Sequence, residues 1–136
     1  MENYAIYEKA RPFAAEVIQK LKDEGNEIYI ITARWFTNRD DDIGENMRKI
    51  VKRWLEENRI VYDKLVFTKE AKEKKVEEIL ENKIDIMIED SPKNIADLSK
   101  ITKVICYHSN YNKDCEGERI TRCYSWYDIY RYISKL

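Results

Sequence analysis

Glycine and proline, the residues that most often mark irregular or flexible backbone, are scarce in this chain. The 136 residues include three glycines and two prolines, and they show no repeat, low-complexity tract or linker-like segment. This scarcity argues against collagen-like and low-complexity architectures and against domains joined by a flexible linker. A chain of this length can bury roughly two-thirds of its unfolded surface. We therefore predict one compact domain, residues 1–136, with short connections.

The chain also lacks an excess of one charge and a long apolar run. Lysine and arginine number 25 against 26 acidic residues, so the formal net charge is −1. This balance does not favour binding to a nucleic acid polymer or to an acidic membrane surface. No apolar run approaches the roughly 18 residues of a membrane span. The first residues, MENYAIYEKARPF, contain no apolar signal-peptide core. We expect neither membrane nor nucleic acid polymer as a partner.

Cysteine and histidine are few, and their spacing does not indicate a metal cluster. The cysteines are Cys106, Cys115 and Cys123, and the single histidine is His108. They match no CxxC pattern of zinc sites. An odd number of cysteines in a small chain rich in lysine and glutamate is typical of a reducing compartment. The sequence therefore predicts a cytoplasmic location, with one buried strand cysteine and two incidental ones.

What the chain does contain is a regular alternation of helical and strand patterns. The predicted helices cover residues 12–24, 44–58, 70–82, 92–99 and a final segment marked by Trp126, Ile129, Tyr130 and Ile133. The predicted strands cover 27–32, 64–68, 84–89 and 103–107, and a loop precedes the final helix. This order predicts an α/β fold, with a parallel sheet flanked by helices on both faces.

Polar residues collect at the carboxyl ends of the predicted strands. In a parallel sheet these ends lie at one edge, and binding sites form beyond that edge. Thr32, Thr68, Glu89 and Asp90 follow or end predicted strands. We therefore expect them to share this edge with the residues after Tyr107.

The tripeptide Thr32-Ala33-Arg34 ends the first predicted strand and is a candidate anion site. A threonine hydroxyl and nearby backbone N–H groups can cradle a phosphate. The alternative stays open that Thr32 only caps the following segment.

A lysine-rich segment, KEAKEKKVEE, precedes the third predicted strand. Lysine near a helix start opposes the helix dipole, which suggests that one of these side chains points toward an anion. The candidates are Lys69, Lys72, Lys74 and Lys75. A solvated charged face is the other interpretation.

The adjacent carboxylates of Glu89 and Asp90 follow the apolar run IDIMI. Paired carboxylates suit a hard cation such as Mg²⁺, which prefers oxygen ligands and keeps several waters. Asp90 or Ser91 can instead cap the next helix. The two interpretations are compatible, because only one carboxylate need act as a cap.

Together these segments resemble the haloacid dehalogenase superfamily of phosphohydrolases. IYIITAR (28–34) resembles its second motif, KEAKEKKVEE (69–78) falls where the third-motif lysine is expected, and IMIEDSPKNI (86–95) resembles the fourth. The tail YNKDCEGERITRCYSWYDIY (111–130) is similar to a bacterial branch of nucleotidases related to cytosolic 5′(3′)-deoxyribonucleotidases. The resemblance implies a three-layer Rossmann-like fold and Mg²⁺-dependent hydrolysis of a phosphate monoester.

For the site, the resemblance implies a phosphate or nucleotide ligand. It assigns phosphate binding to Thr32, Ala33, Arg34, Lys74 and Lys75. It assigns Mg²⁺ binding to the two residues of the fourth motif, Glu89 and Asp90.

One departure from the family pattern concerns the reacting group. Members begin with a strand ending in DxDxT, whose first Asp is the nucleophile and whose second is the general acid/base. This sequence contains no DxDxT, and about ten residues precede the segment (10–25) that resembles the helix before the second motif. Glu2, Glu8 and the acidic run at 40–42 sit in no matching motif. We therefore assign no nucleophile, and we expect a truncated core, inactive alone, with weak or absent Mg²⁺ binding.

The missing strand also bears on assembly. In the family it is central, between the strand ending in Thr32 and the strand ending in Glu89. Two unpaired inner edges are not kept open in a stable monomer. The two strands can pair directly, a second copy can complete the sheet, or another polypeptide can donate the strand. We expect self-association as a homo-oligomer or strand-completed dimer.

Two alternatives fall outside catalysis. Six tail tyrosines can serve the interface of a binding or assembly module, or they can complete the core around the last helix. They are Tyr107, Tyr111, Tyr124, Tyr127, Tyr130 and Tyr132. A nucleotide-binding or response-regulator-like sheet would need a glycine-rich loop or an acidic pocket after the first strand, and the sequence has neither there. The sequence does not identify the substrate, because no cap segment is recognisable.

Overall fold

The computed structural model describes residues 11–32, 40–67, 79 and 81–136. Contacts group the chain into two compact units, Met1–Ala71 and Lys72–Leu136. Both units combine helices with parallel β-strands, which confirms the predicted α/β class. The assignment of residues 1–136 to a single domain stays a prediction.

The described residues of the first unit form two helices and two strands: α1 (Ala14–Asp23), β1 (Tyr29–Thr32), α2 (Asp42–Glu57) and β2 (Lys64–Phe67). β1 and β2 pair in parallel, with Thr32 opposite Phe67 at the carboxyl end. The helices bury the apolar faces that the spacing predicted, with Val17 and Leu21 in α1 and Met47, Val51 and Leu55 in α2.

Asp63 ties the start of β1 to the segment before β2. Its carboxylate accepts the Ile28 N–H at 2.7 Å and pairs with the Lys22 ammonium. Its own N–H donates to the Ile28 carbonyl at 2.7 Å. The Ile28 N–H and Lys22 hold the pKa of the Asp63 carboxyl below its ordinary value. These contacts support the observed register of β1 against β2.

Both helices of this unit start at residues other than those predicted. α1 begins after Pro12 and Phe13, because Phe13 has a positive φ of 65° that a right-handed helix does not accept. Phe13 is 51% exposed. α2 is capped by Asp41, whose carboxylate accepts the Gly44 N–H at 3.0 Å. The acidic run at 40–42 therefore lies at the start of a helix.

From residue 86 onward, the second unit contains three strands and two helices: β3 (Ile86–Glu89), α3 (Pro92–Leu98), β4 (Lys103–Tyr107), β5 (Ile120–Cys123) and α4 (Trp126–Ser134). The strands form a parallel sheet in the order β3-β4-β5. α3 packs on β3 and β4, and α4 packs on β5.

The strand β5 corrects the prediction, which treated the stretch before the last helix as a loop. It pairs with β4 from Ile120 opposite Val104 to Cys123 opposite Tyr107. The connection from β4, residues 108–119, contains no helix, although parallel strands are usually joined through one. The strand is only four residues long, and the polar residues Thr121 and Arg122 occupy its centre. It therefore lacks the apolar pattern by which the other strands were predicted.

Strand alternation places buried side chains on both faces of the sheet in the second unit. On one face, Ile105, Cys123 and Ile129 form a fully buried cluster. Partly buried apolar side chains pack against this cluster, namely Ile86, Ile88, Tyr107, Trp126, Tyr132 and Ile133. Because successive strand residues face opposite sides, Arg122 lies on the face opposite Cys123.

Some predicted features fall outside the described residues. These include Thr68 and most of the predicted helix at 70–82, of which residues 79, 81 and 82 are described, with Ile79 fully buried. Within the described ranges, no helix combines the length and the apolar character that crossing a membrane requires.

Candidate functional site

The candidate site lies at the carboxyl edge of the sheet in the second unit. Asp90, His108 and Tyr124 are the first residues after the three parallel strands. Their common position follows from the parallel topology, which brings strand ends of one polarity to one edge. The loops after β3 and β4 are joined at this edge by side chains that bond to backbone.

Glu89, the last residue of β3, stabilises the turn into α3. Its carboxylate accepts the N–H groups of Asp90 at 3.0 Å and Ser91 at 3.2 Å. The Asn94 amide lies 3.4 Å from its second oxygen. Ser91 is the N-cap of α3, but its side chain makes no capping hydrogen bond. Glu89 therefore performs the stabilising role that the sequence left open for Asp90 or Ser91.

Asp90 is held from two sides by the loop after β4. The Tyr111 hydroxyl donates to its Oδ2 at 2.6 Å, and the Asn112 amide donates to its backbone carbonyl at 2.9 Å. The Asp90 side chain is half-buried, while the Tyr111 ring is 62% exposed. This arrangement presents a carboxylate at the edge of the sheet with its backbone already fixed.

Asn112 is 1% exposed, and its side-chain amide makes four hydrogen bonds. The NH₂ group donates to the carbonyls of Asp90 at 2.9 Å and Tyr107 at 2.8 Å. The Oδ1 atom accepts from the Ser109 N–H and from Arg122 Nη1, both at 3.0 Å. A primary amide offers two donors and one oxygen with two lone pairs, so this buried group is fully satisfied.

Arg122 reaches from β5 into the connection between β4 and β5. Its Nη2 atom donates to the carbonyls of Asn112 at 2.8 Å and Cys115 at 2.9 Å, with that of Lys113 at 3.3 Å. A planar guanidinium suits several acceptors at once. Arg122 thus forms the polar centre of a connection that has no helix.

His108 lies between Arg122 and an exposed tyrosine. Its Nδ1 is 3.0 Å from Arg122 Nη1, and its ring centroid is 4.7 Å from that of Tyr124. A guanidinium can only donate, so Nδ1 accepts and the ring proton sits on Nε2. The contact therefore fixes one tautomer of this imidazole.

The three cysteines are unpaired in the structure. Cys106 and Cys123 are buried on β4 and β5, while Cys115 is half-buried in the connection. Burial raises the pKa of the Cys123 thiol to about 11 and also raises the pKa of Cys106. Two strand cysteines are thus buried, rather than the one that the sequence suggested.

The residues predicted from sequence are only partly described. Thr32 ends β1 in the first unit, as its strand pattern indicated, and its role in phosphate binding stays a prediction. Ala33, Arg34, Lys74 and Lys75 lie outside the described residues. Glu89 and Asp90 end and follow β3 as expected, and their role as metal ligands also stays a prediction.

Sequence reasoning missed the residues that support Asp90. Tyr111, Asn112 and Arg122 all belong to the tail segment singled out for its family resemblance. Tyr111 was predicted to serve an interface or the core, and no role was assigned to Asn112 or Arg122. The available signal was the arginine within ITRC, a charged residue at the centre of a four-residue strand.

The side-chain oxygen atoms at this edge of the sheet determine whether Mg²⁺ can bind there. Asp90 supplies the hard carboxylate oxygen that Mg²⁺ prefers. Within the described ranges, no group of three or more Asp, Glu, His or Cys side chains could hold a metal ion together. These residues therefore fit a Mg²⁺ site in which the protein supplies few of the ligands. Water molecules and substrate phosphate would supply the remaining ligands.

Comparison with known proteins gives a consistent family match. The model of the family "5' nucleotidase, deoxy (Pyrimidine), cytosolic type C protein" matches residues 6–136. A Chlorobaculum tepidum protein named "Putative 5'(3')-deoxyribonucleotidase" is 33% identical over 126 residues, which cover 92% of this chain and 55% of that protein. A Bacillus cereus protein named "Putative nucleotidase" is 32% identical over 126 residues, which cover 91% of this chain and 60% of that protein. The chain thus spans little more than half the length of these curated relatives.

Proposed function

Since the chain belongs to the family of 5′ nucleotidase, deoxy (pyrimidine), cytosolic type C proteins, we propose that it binds a nucleoside monophosphate together with Mg²⁺. The family match over residues 6–136 supports the class of ligand, a phosphate monoester. The observation that carries the proposal for this chain is the Asp90 carboxylate, presented at the edge of the sheet by Tyr111 and Asn112.

The two carboxylates of the acidic pair have different roles in this proposal. Glu89 already accepts two backbone N–H groups, so it shapes the turn rather than serving as the main ligand. Asp90 would hold the cation, with water and phosphate oxygens completing its coordination. Mg²⁺ bound there would neutralise charge on the phosphate. We place the phosphate contacts with Thr32, Ala33, Arg34 and one of Lys74 and Lys75.

We infer that this chain binds its ligand without efficient turnover. The sequence has no DxDxT segment, and covalent phosphoryl transfer needs a positioned nucleophile. A DxDxT strand supplied from outside residues 1–136 would provide that group, and the site would then act as half of a hydrolase. The unpaired thiols fit the reducing cytoplasm as the compartment.

Binding of Mn²⁺, a spectroscopic substitute for Mg²⁺, tests the metal part of the proposal. Asp90→Asn removes the ligand charge and should weaken Mn²⁺ binding by more than about tenfold, the scale on which even outer-shell partners of a metal act. Electron paramagnetic resonance of free Mn²⁺, measured with and without a deoxynucleoside monophosphate, gives the dissociation constant.

Asp114→Asn is the matched control, because Asp114 is an exposed carboxylate in the connection after β4. This variant makes the same change in charge and should leave Mn²⁺ binding unchanged. Equal binding by wild type and Asp90→Asn would refute the assignment of Asp90 as the ligand.

A second candidate function is self-association. In the described part of the second unit, β3 is an edge strand, and Ile86, Met87 and Ile88 make it apolar and half-buried. Apolar edge strands pair readily with strands of other chains. With a second copy as the proposed partner, sedimentation velocity should show a dimer that dissociates on dilution. A monomer at every concentration would contradict it.

A further inference from the structure

Asn112 joins the loop that carries Asp90 to the end of the neighbouring strand. We propose that Asn112 is a positioning residue for the Asp90 carboxylate, and that Arg122 holds the Asn112 amide in the required orientation. This inference rests on the proposed function for the metal itself, but the geometry that carries it belongs to the chain alone.

The first step of the argument is the bridge between two loops. One NH₂ group donates both to the carbonyl of Asp90, directly after β3, and to that of Tyr107, the last residue of β4. The two strands are parallel neighbours, so the bridge connects adjacent ends of one sheet. Asp90 cannot move away from the edge without breaking a hydrogen bond of a fully buried amide.

The second step concerns the orientation of the amide. The Asn112 oxygen faces two groups that can only donate, the Ser109 N–H and the Arg122 guanidinium. A flipped amide would set its NH₂ group against these donors and its oxygen against two carbonyls. The hydrogen-bond partners therefore permit one orientation, in which the donors point at Asp90 and Tyr107.

The third step is the attachment of Arg122 to a strand. Arg122 belongs to β5, and its guanidinium also bonds the backbone carbonyls of Asn112 and Cys115. The residue whose side chain orients Asn112 thus belongs to the sheet and not to a loop. Sites supported by regular elements are held more accurately than sites supported by loops alone.

The combined effect is that described neighbours on three sides locate Asp90. Its N–H donates to Glu89, its carbonyl accepts from Asn112, and its carboxylate accepts from Tyr111. Loss of the Asn112 contact would leave the carboxylate chemically unchanged but would remove the hydrogen bond that ties its backbone to a buried amide. A cation with few protein ligands should be sensitive to such a change.

The test compares two isosteric variants in one loop, Asn112→Asp and Asn110→Asp. Both add one negative charge, but Asn110 is exposed, whereas Asn112 is buried. Asn112→Asp replaces the two donors with an oxygen that faces the carbonyls of Asp90 and Tyr107. We expect Mn²⁺ binding to weaken by at least about tenfold in Asn112→Asp, as for other outer-shell partners of metal sites, and to stay unchanged or strengthen in Asn110→Asp.

A second readout needs no metal. In heteronuclear NMR of the metal-free protein, the backbone amide signals of Asp90 and Ser91 should shift in Asn112→Asp and stay in place in Asn110→Asp. If wild type fails to bind Mn²⁺, the proposed metal function fails, and these shifts alone decide the positioning role. Unshifted signals, or Mn²⁺ binding in Asn112→Asp equal to that of wild type, would overturn the inference.

Arg122→Lys serves if Asn112→Asp does not fold. It keeps the positive charge but loses the fork that holds the Asn112 oxygen and two carbonyls together. The Asp90 and Ser91 signals should shift in this variant also, with weaker Mn²⁺ binding. A folded Arg122→Lys protein with wild-type signals and binding would rule out the orienting role of Arg122.

Discussion

In an assay with Mg²⁺ and a deoxynucleoside monophosphate, the isolated chain should release phosphate roughly a million-fold more slowly than a complete enzyme of this chemistry, the typical cost of losing a covalent nucleophile. The physical reason is that an ester of phosphate needs an attacking group held in line with the leaving group. The chain contains the acidic pair Glu89 and Asp90 but no DxDxT segment. A general phosphatase substrate should give the same result.

The controls for this assay separate an inactive chain from an incomplete one. The full-length Chlorobaculum tepidum relative, purified and assayed in parallel, provides the comparison. Addition of a polypeptide that carries a DxDxT strand tests completion, and activity that appears only in the mixture would assign this chain to a two-chain hydrolase. Any such activity should fall in Asp90→Asn. Turnover by the isolated chain at about 1–10³ per second, an ordinary enzyme rate, would show that it contains its own nucleophile.

Replacement of Arg122 by leucine should lower the free energy of unfolding by about 2–4 kcal/mol, because several polar groups lose their partner at once. The guanidinium bonds the Asn112 side chain and the carbonyls of Asn112 and Cys115, all within 3.0 Å. Leucine fills part of the space but offers no donor. Chemical denaturation monitored by tryptophan fluorescence measures the change.

Arg119→Leu is the matched control for this prediction. Arg119 is exposed just before β5, and its one described side-chain hydrogen bond, to the Lys100 carbonyl, is long at 3.4 Å. Its replacement should change the free energy of unfolding by no more than about 0.5 kcal/mol, as for most surface positions. Equal losses in the two variants would mean that Arg122 does not organise the connection between β4 and β5.

The elements found from sequence are those whose signal is local. The apolar spacing of Val17 and Leu21 predicted α1, and the run at 103–107 predicted β4 with its observed bounds. The resemblance to nucleotidases of the haloacid dehalogenase superfamily is confirmed by the family match. Short contiguous motifs and helical periodicity can both be recognised in a sequence without knowing which distant residues are in contact.

The elements that sequence missed depend on contacts far along the chain. β5 exists because Ile120 to Cys123 pair with β4, and four residues of mixed polarity carry little strand signal alone. The role of Asn112 was not predicted for the same reason, since its partners Asp90 and Arg122 lie 22 and 10 positions away in the sequence. A polar residue in a loop shows no pattern that reveals which backbone groups it will meet.

The helix-free connection at 108–119 has a consequence for how this edge of the protein opens. One guanidinium holds the carbonyls at 112 and 115, the amide oxygen of Asn112 and the ring of His108. A helical crossover could unfold one turn at a time. A loop whose groups all bond to the one Arg122 guanidinium has no smaller part that can detach while the rest stays in place. Opening of this loop is therefore cooperative, and because Asn112 also bonds to Asp90, the acidic edge opens and closes with it.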